Sequence, residues 1–217
     1  MSVHSEIFAC RNPELWLITA MASTGCGEKA TVDVSASGMI ATSVTSVSIV
    51  PEAPRVLVAI SHQHRTGEII NQCGAFALHV LGEDNLDLVW RFGLQSGHAV
   101  EKLAEIKTRR HSIDFESARI NFLVVPDCAA WLACRVETLF DIGDRLLVVA
   151  EVVAAEKLRH RMDPLTMRRL AEIGAPEKLS QLREQSSRQA VIDHQAITNW
   201  RLSNGSLVNR DATRPNE

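Results

Sequence analysis

Apolar and polar positions change over along this chain in short blocks, and most of the blocks are the length of strands. Leu15 to Met21 (LWLITAM) is a compact apolar run stopped by Ser23, Gly25 and Gly27, the pattern of a buried strand entering a turn. Ala30 to Ile49 is rich in Val, Thr, Ser and Ala, with Gly38 the expected kink between two extended pieces. Pro51 and Pro54 forbid a helix across the next connection, and Arg55 to Ser61 (RVLVAIS) resumes as a strand. Ile69, Ile70 and Cys73 stand at helical spacing before Gly74, which predicts a short helix with a glycine stop from Thr66 to Cys73. Ala75 to Leu81 returns to strand, and Glu83 to Phe92 reads as a helix with acidic residues in its first turn. No element is assigned between Gly97 and Phe115. Ala130 to Phe140 and Arg145 to Ala155, joined by DIGD, predict a long hairpin.

Beyond Leu158 the strand signal stops and the sequence becomes charged and helix-forming. Leu179, Leu182, Ala190, Ile197 and Trp200 fall within roughly a quarter of a helical circumference, an apolar stripe that has to dock on a surface. The expected docking surfaces are the mouth of the chain's own barrel or a partner subunit. The succession of strands lacks the long crossover helices of a parallel sheet, so the predicted class is α+β, mainly β. It is divided into a barrel domain over 1–158 and a helical C-terminal extension over 159–217.

Composition narrows the function classes. With 217 residues and 46% hydrophobic composition the chain supports one sizeable core. A net charge of -3 and a pI near 6.2 leave no electrostatic footprint for nucleic acid. No apolar run approaches the roughly 20 residues that span a bilayer, and no signal-peptide pattern opens the sequence, so neither membrane nor export is expected and the compartment read is the cytoplasm. The five cysteines include no C-x-x-C pair and are read as thiols, with Cys128 and Cys134 as small hydrophobes; no metal set is expected.

Candidate chemistry concentrates between Gly38 and Thr66. Thr42, Ser43, Thr45, Ser46 and Ser48 place five hydroxyls on adjoining positions, which fits either an exposed Thr/Ser-rich strand or a polar, planar ligand. The strand RVLVAIS then runs into HQHRT and a helix start, where backbone N–H groups, Arg65 and the Thr66 hydroxyl would stabilise an anion. Thr66 could equally serve only as a helix cap. Taken together, the two features favour a phosphorylated planar ligand.

The same features, in this order, resemble the flavin reductase-like, FMN-binding split-barrel family. The resemblance rests on GMIATSVTSVSIV, the double-proline turn, SHQHRT, GAFA, the Asp-Leu…Arg-Phe helix (DLVWRF) and the later hairpin, and it covers about Leu15 to Ala155. It implies an antiparallel Greek-key split β-barrel and a homodimer. In that frame Ala41, Thr42, Ser43 and Val44 contact the ring and ribityl parts of FMN, and Ser61, His62, Arg65 and Thr66 line its phosphate end. Family members characteristically pass a hydride from NADH or NADPH to flavin, many for a partner monooxygenase. No side chain is nominated as catalytic, because the two cofactors perform the bond chemistry. Two departures stand out: Arg145 follows Gly143 and Asp144 where the family has histidine, and the aromatic C-terminal segment is replaced by HRMDPLTMRRLAEIG and the tail. These keep open a second reading, a flavin-binding or electron-relay module without nicotinamide turnover.

Overall fold

The computed structural model describes residues 3, 7, 10–23, 34–115 and 118–204. The elements run β1 (Trp16–Ser23), β2 (Val34–Ala41), β3 (Val44–Ser46), β4 (Arg55–Ser61), α1 (Arg65–Cys73), β5 (Ala75–Val80) and, after a 3-10 turn at Glu83–Asn85, α2 (Leu86–Leu94). There follow β6 (Arg109–Phe115), β7 (Ala118–Val124), β8 (Ala130–Asp141), β9 (Arg145–Lys157), α3 (Met167–Ile173) and α4 (Pro176–Asn204). Seven strands form one sheet in the order β2-β1-β5-β8-β9-β4-β3, and every ladder is antiparallel. The sheet curls into the half-barrel that the predicted class requires.

Period-2 alternation sends neighbouring side chains into separate cores. Ile18 joins Met39, Val58, Ile60, Phe76, Leu78 and Val148 inside the barrel, with Ile69 and Ile70 of α1 packed on them. Leu17 points the other way, into Leu15, Leu81, Val89, Phe92, Leu165 and Leu170 beneath α2 and α3. Leu165 is threaded between the start of β1 and the end of β5, accepting from Leu15 N at 2.8 Å and donating to Leu81 O at 2.7 Å. Gly74 ends α1 in the left-handed region at φ 66° with its N–H on Ile70 O, as a glycine stop should.

Two sequence expectations change. Gly38 is not a kink: β2 runs straight through it, paired with Thr19, and the chain turns instead at Thr42 and Ser43. Glycine is needed there because a Cβ would lie 2.6 Å from the Phe92 ring, which is buried against the strand. The unassigned stretch holds β6, which pairs with β7 as a separate hairpin; its mixed burial leaves no clean alternation to read. This hairpin also covers β5, so His79 is fully buried and hydrogen-bonded. Its Nδ1–H donates to Leu17 O at 3.0 Å, while Nε2 accepts the Val125 N–H at 3.0 Å.

That bonding needs a neutral ring, and complete burial lowers the His79 pKa from 6.5 to about 4. The unfolded chain therefore takes up a proton between pH 6.5 and 4 that the folded chain refuses. Stability is fully present above pH 6.5 and is lost as pH falls. Urea unfolding at pH 7 and pH 5 should differ by on the order of 2 kcal/mol from this histidine; equal stabilities at the two pH values would contradict the assignment. Gly38→Ala should cost about 1–3 kcal/mol by overpacking against Phe92, read from the same urea midpoints.

Candidate functional site

The site grows from the exit of β4. Ser61 is buried, its carbonyl accepts from His64 N at 3.1 Å, and the tight turn delivers Arg65 to the first position of α1 against β2. Thr66 Oγ1 bonds Ser37 Oγ at 3.2 Å. The Arg65 guanidinium donates to Ser35 Oγ at 3.0 Å and Gly97 O at 3.2 Å. Lys102, only 3% exposed, aims its Nζ at Phe92 O (3.0 Å) and Gly38 O (3.2 Å). Gly97 closes the corner: a Cβ on it would meet Ser37 Oγ at 2.7 Å, Arg65 Cβ at 3.4 Å and Lys102 Cε at 3.8 Å.

Among the described residues, no carboxylate pairs with Arg65 or Lys102. Burial lowers the Lys102 ammonium to about 8. Two cations thus stand beside three hydroxyls and, among the described residues, meet only neutral acceptors, an arrangement whose charge an anion would offset.

A second environment adjoins the corner at His64. A cleft of about 410 Å³ lies between the barrel and α4. Ile40, Thr42, His64 and Arg145 face Leu182, Gln185, Gln189 and Asp193 across it. Burial, with Lys102 and Arg145 nearby, lowers His64 from 6.5 to about 4, so its ring is neutral near pH 7. Arg145 Nη2 is held by Asp193 Oδ2 at 2.7 Å and its Nη1 stands 3.6 Å from Asp144 Oδ2, so the guanidinium lies between two carboxylates. The cleft is therefore half apolar and, among the described residues, presents no unpaired cation.

The predicted residues are dispersed over these features. Arg65 and Thr66 meet in the corner. Ser61 Oγ faces Gln63 N and Gln189 Nε2, and His62 turns outward to Asp141 at 3.1 Å. Ala41 is buried and Val44 half-buried, whereas Thr42 and Ser43 are exposed at the bend between β2 and β3. Thr42 borders the large cleft and also a shallower one of about 300 Å³ shared with Ser43, Val44 and Thr45. Some of the hydroxyl density has a local cause: Ser46 Oγ bonds Ser48 O, and Ser48 Oγ accepts from Val50 N.

Lys102 and Asp193 were not read from the sequence, and His64 was read only as one of the two histidines of HQHRT at the anion-stabilising turn. Lys102 sits in a stretch without periodicity, and Asp193 is a charged residue on a helix judged by its apolar stripe. In that stripe Leu179, Leu182, Ile197 and Trp200 are half-buried, but Ala190 is exposed. Among the described residues, no helix is long and apolar enough to cross a membrane.

Comparison with known proteins identifies the class. The seven-stranded half-barrel is the fold of solved flavin reductases. One is the NADH:FAD oxidoreductase SgcE6 of Streptomyces globisporus, solved with NAD and FAD fragments (TM-score 0.53, 19% identity, 75% of this chain and 85% of that one). Another is the styrene monooxygenase flavin reductase of Pseudomonas putida S12 (TM-score 0.51, 22% identity, 76% and 91%). The flavin reductase like domain model matches residues 16–172, and the chain belongs to that family. A probable flavin reductase of Rhizobium meliloti is 29% identical over 119 residues, covering 55% of this chain and 34% of that protein. The chain spans between 34% and 58% of the length of the curated relatives it matches.

Removing the nearer of the two carboxylates on Arg145 should be costly, since it leaves a half-buried guanidinium with only the longer Asp144 contact at 3.6 Å. Asp193→Ala is expected to destabilise the protein by about 1–3 kcal/mol and to speed tryptic cleavage after Arg183 and Arg188. Unchanged urea midpoints and cleavage rates would show that α4 does not depend on the pair.

Proposed function

We propose that this protein binds FMN and passes a hydride to it from NADH or NADPH, as a homodimer that supplies reduced flavin to a partner monooxygenase. The observation that carries the reading is the pair of cations, Arg65 and Lys102, uncompensated among the described residues, beside the hydroxyls of Ser35, Ser37 and Thr66. These residues would hold the phosphate. Ser37 and Thr42 are five residues apart on extended chain, roughly 16 Å, a span that suits a ligand with its phosphate at one end and a ring system at the other. Ala41 to Val44 would then flank the ring, with the backbone of the bend offering N–H and C=O groups to its polar edge. Ser61 and His62 are given no phosphate contact in this reading, because their side chains face Gln189 and Asp141.

When bound, the flavin supplies the hydride-accepting ring and the nicotinamide supplies the hydride. The chain itself positions the two and keeps water from between them. The neutral His64 and the carboxylate-bracketed Arg145 leave the ring end without an unpaired cation among the described residues. The names of the similar reductases support the partner assignment: one belongs to styrene monooxygenase, and another was solved with NAD and FAD fragments. The outward-facing Thr42, Ser43, Thr45 and Ser46 at the β3 edge suit a site completed by a second subunit.

Arg65→Ala should weaken FMN by about ten- to a hundred-fold, the loss of one charge-assisted contact, and weaken riboflavin far less. Fluorescence titration of both flavins reads this directly, and equal losses would overturn the phosphate assignment. Mixing FMN-loaded protein with NADH without oxygen should bleach the flavin rapidly; absence of bleaching would leave a flavin-binding module.

A further inference from the structure

The family match ends at residue 172, and α4 begins at Pro176, so this 29-residue helix is an addition to the shared barrel. It is clamped at both ends. At its start Leu179 and Leu182 pack with α2 and α3, Leu182 lying over Gly93 and Leu179 over Gly174. Toward its end Trp200 sits on the β8–β9 turn, where Gly143 takes φ +97° and an added Cβ would come 2.6 Å from Trp200 Cβ. Between the clamps the helix turns polar side chains to the cleft.

Asp193, 9% exposed, is the one buried residue among the described residues of this helix. Burying a carboxylate on a solvated helix is unfavourable unless both oxygens are engaged, and both are. Oδ2 takes Arg145, and Oδ1 takes Gln189 Nε2 at 2.7 Å. Arg145 is the residue that replaces the family's histidine. The substitution and the added helix are thus two halves of one contact.

We propose that α4 is the wall of the cleft that receives the hydride donor, with Gln189 as a specificity-determining residue and Asp193 and Arg145 as the residues that position it. The inference rests on the flavin reading above. Three features select the ligand's end. Among the described residues the cleft's one cation, Arg145, lies between the carboxylates of Asp193 and Asp144, so the cleft suits a neutral planar ring rather than a phosphate. Its lining is half apolar, through Leu15, Ile40, Val89 and Leu182. Gln189 spends its amide N–H groups on Asp193 and Ser61, while its carbonyl oxygen has no partner among the described residues. A ring bearing a carboxamide offers an N–H donor to that oxygen, and the Thr42 hydroxyl across the cleft is a donor for the carboxamide's own carbonyl. The nicotinamide ring has this edge.

The test uses the full-length protein loaded without oxygen with reduced FMN, which accepts no hydride, and calorimetric binding of two reduced dinucleotides, whose rings are neutral. One is NADH and the other its 3-acetylpyridine analogue, which keeps the carbonyl and lacks the amide N–H. Wild type should bind NADH roughly ten-fold more tightly than the analogue, the worth of one desolvated hydrogen bond. Gln189→Ala should bring the two affinities together while FMN affinity, followed by fluorescence of the oxidised flavin, moves by less than about two-fold. A preference that survives Gln189→Ala overturns the proposal, and so does FMN affinity falling in step with that of NADH. Wild type that holds FMN but binds no dinucleotide overturns it too and leaves the flavin reading standing. Failure to bind FMN at all removes the reading beneath it, and the proposal with it.

Discussion

A lysine is buried in this protein with no counter-charge among the described residues, and the layout of the site follows from how that is managed. The Lys102 ammonium ties the Gly38 carbonyl of β2 to the Phe92 carbonyl at the end of α2. It can do so only because Gly38 lacks a side chain, which lets Phe92 lie on the strand. Neutral carbonyls satisfy its hydrogen bonds but not its charge, and burial lowers its pKa accordingly. With Arg65 beside it and hydroxyls around both, the fold carries an electrostatic cost that a bound phosphate would offset.

A few residues away the opposite policy holds. Arg145 is held between Asp193 and Asp144, and His64 is kept neutral by burial, so the cleft under α4 presents no unpaired cation among the described residues. Charge is left open at one end of β2 and paired at the other. A ligand anionic at one end and neutral, flat and polar-edged at the other fits that gradient, whereas a ligand charged along its length does not. The helix beyond the family match lies at the paired end, where Gln185, Ser186, Gln189 and Asp193 of its middle line the cleft.

The barrel was legible in the sequence because its strands alternate into two different cores, as Leu17 and Ile18 do, and because Gly74 marks a true left-handed stop. Gly38 was misread since close approach to Phe92 and a backbone kink demand the same residue, and only tertiary contact separates them. The hydroxyl run was legible as unusual, but part of it closes local turns around Ser46 and Ser48. Arg65 and Thr66 were found through the strand-to-helix turn. Lys102 was not, because it reaches the corner from a loop 37 positions after Arg65 in a stretch with no periodic pattern. Asp193 was hidden by the apolar-stripe reading of α4, whose most buried side chain is a carboxylate.

The most direct test is the structure of the protein crystallised with FMN. The phosphate oxygens should lie within about 3 Å of Lys102 Nζ and the Arg65 guanidinium, with the ring against Thr42 and Ser43. A phosphate exposed to solvent, or placed at His62 and Asp141, would contradict the account.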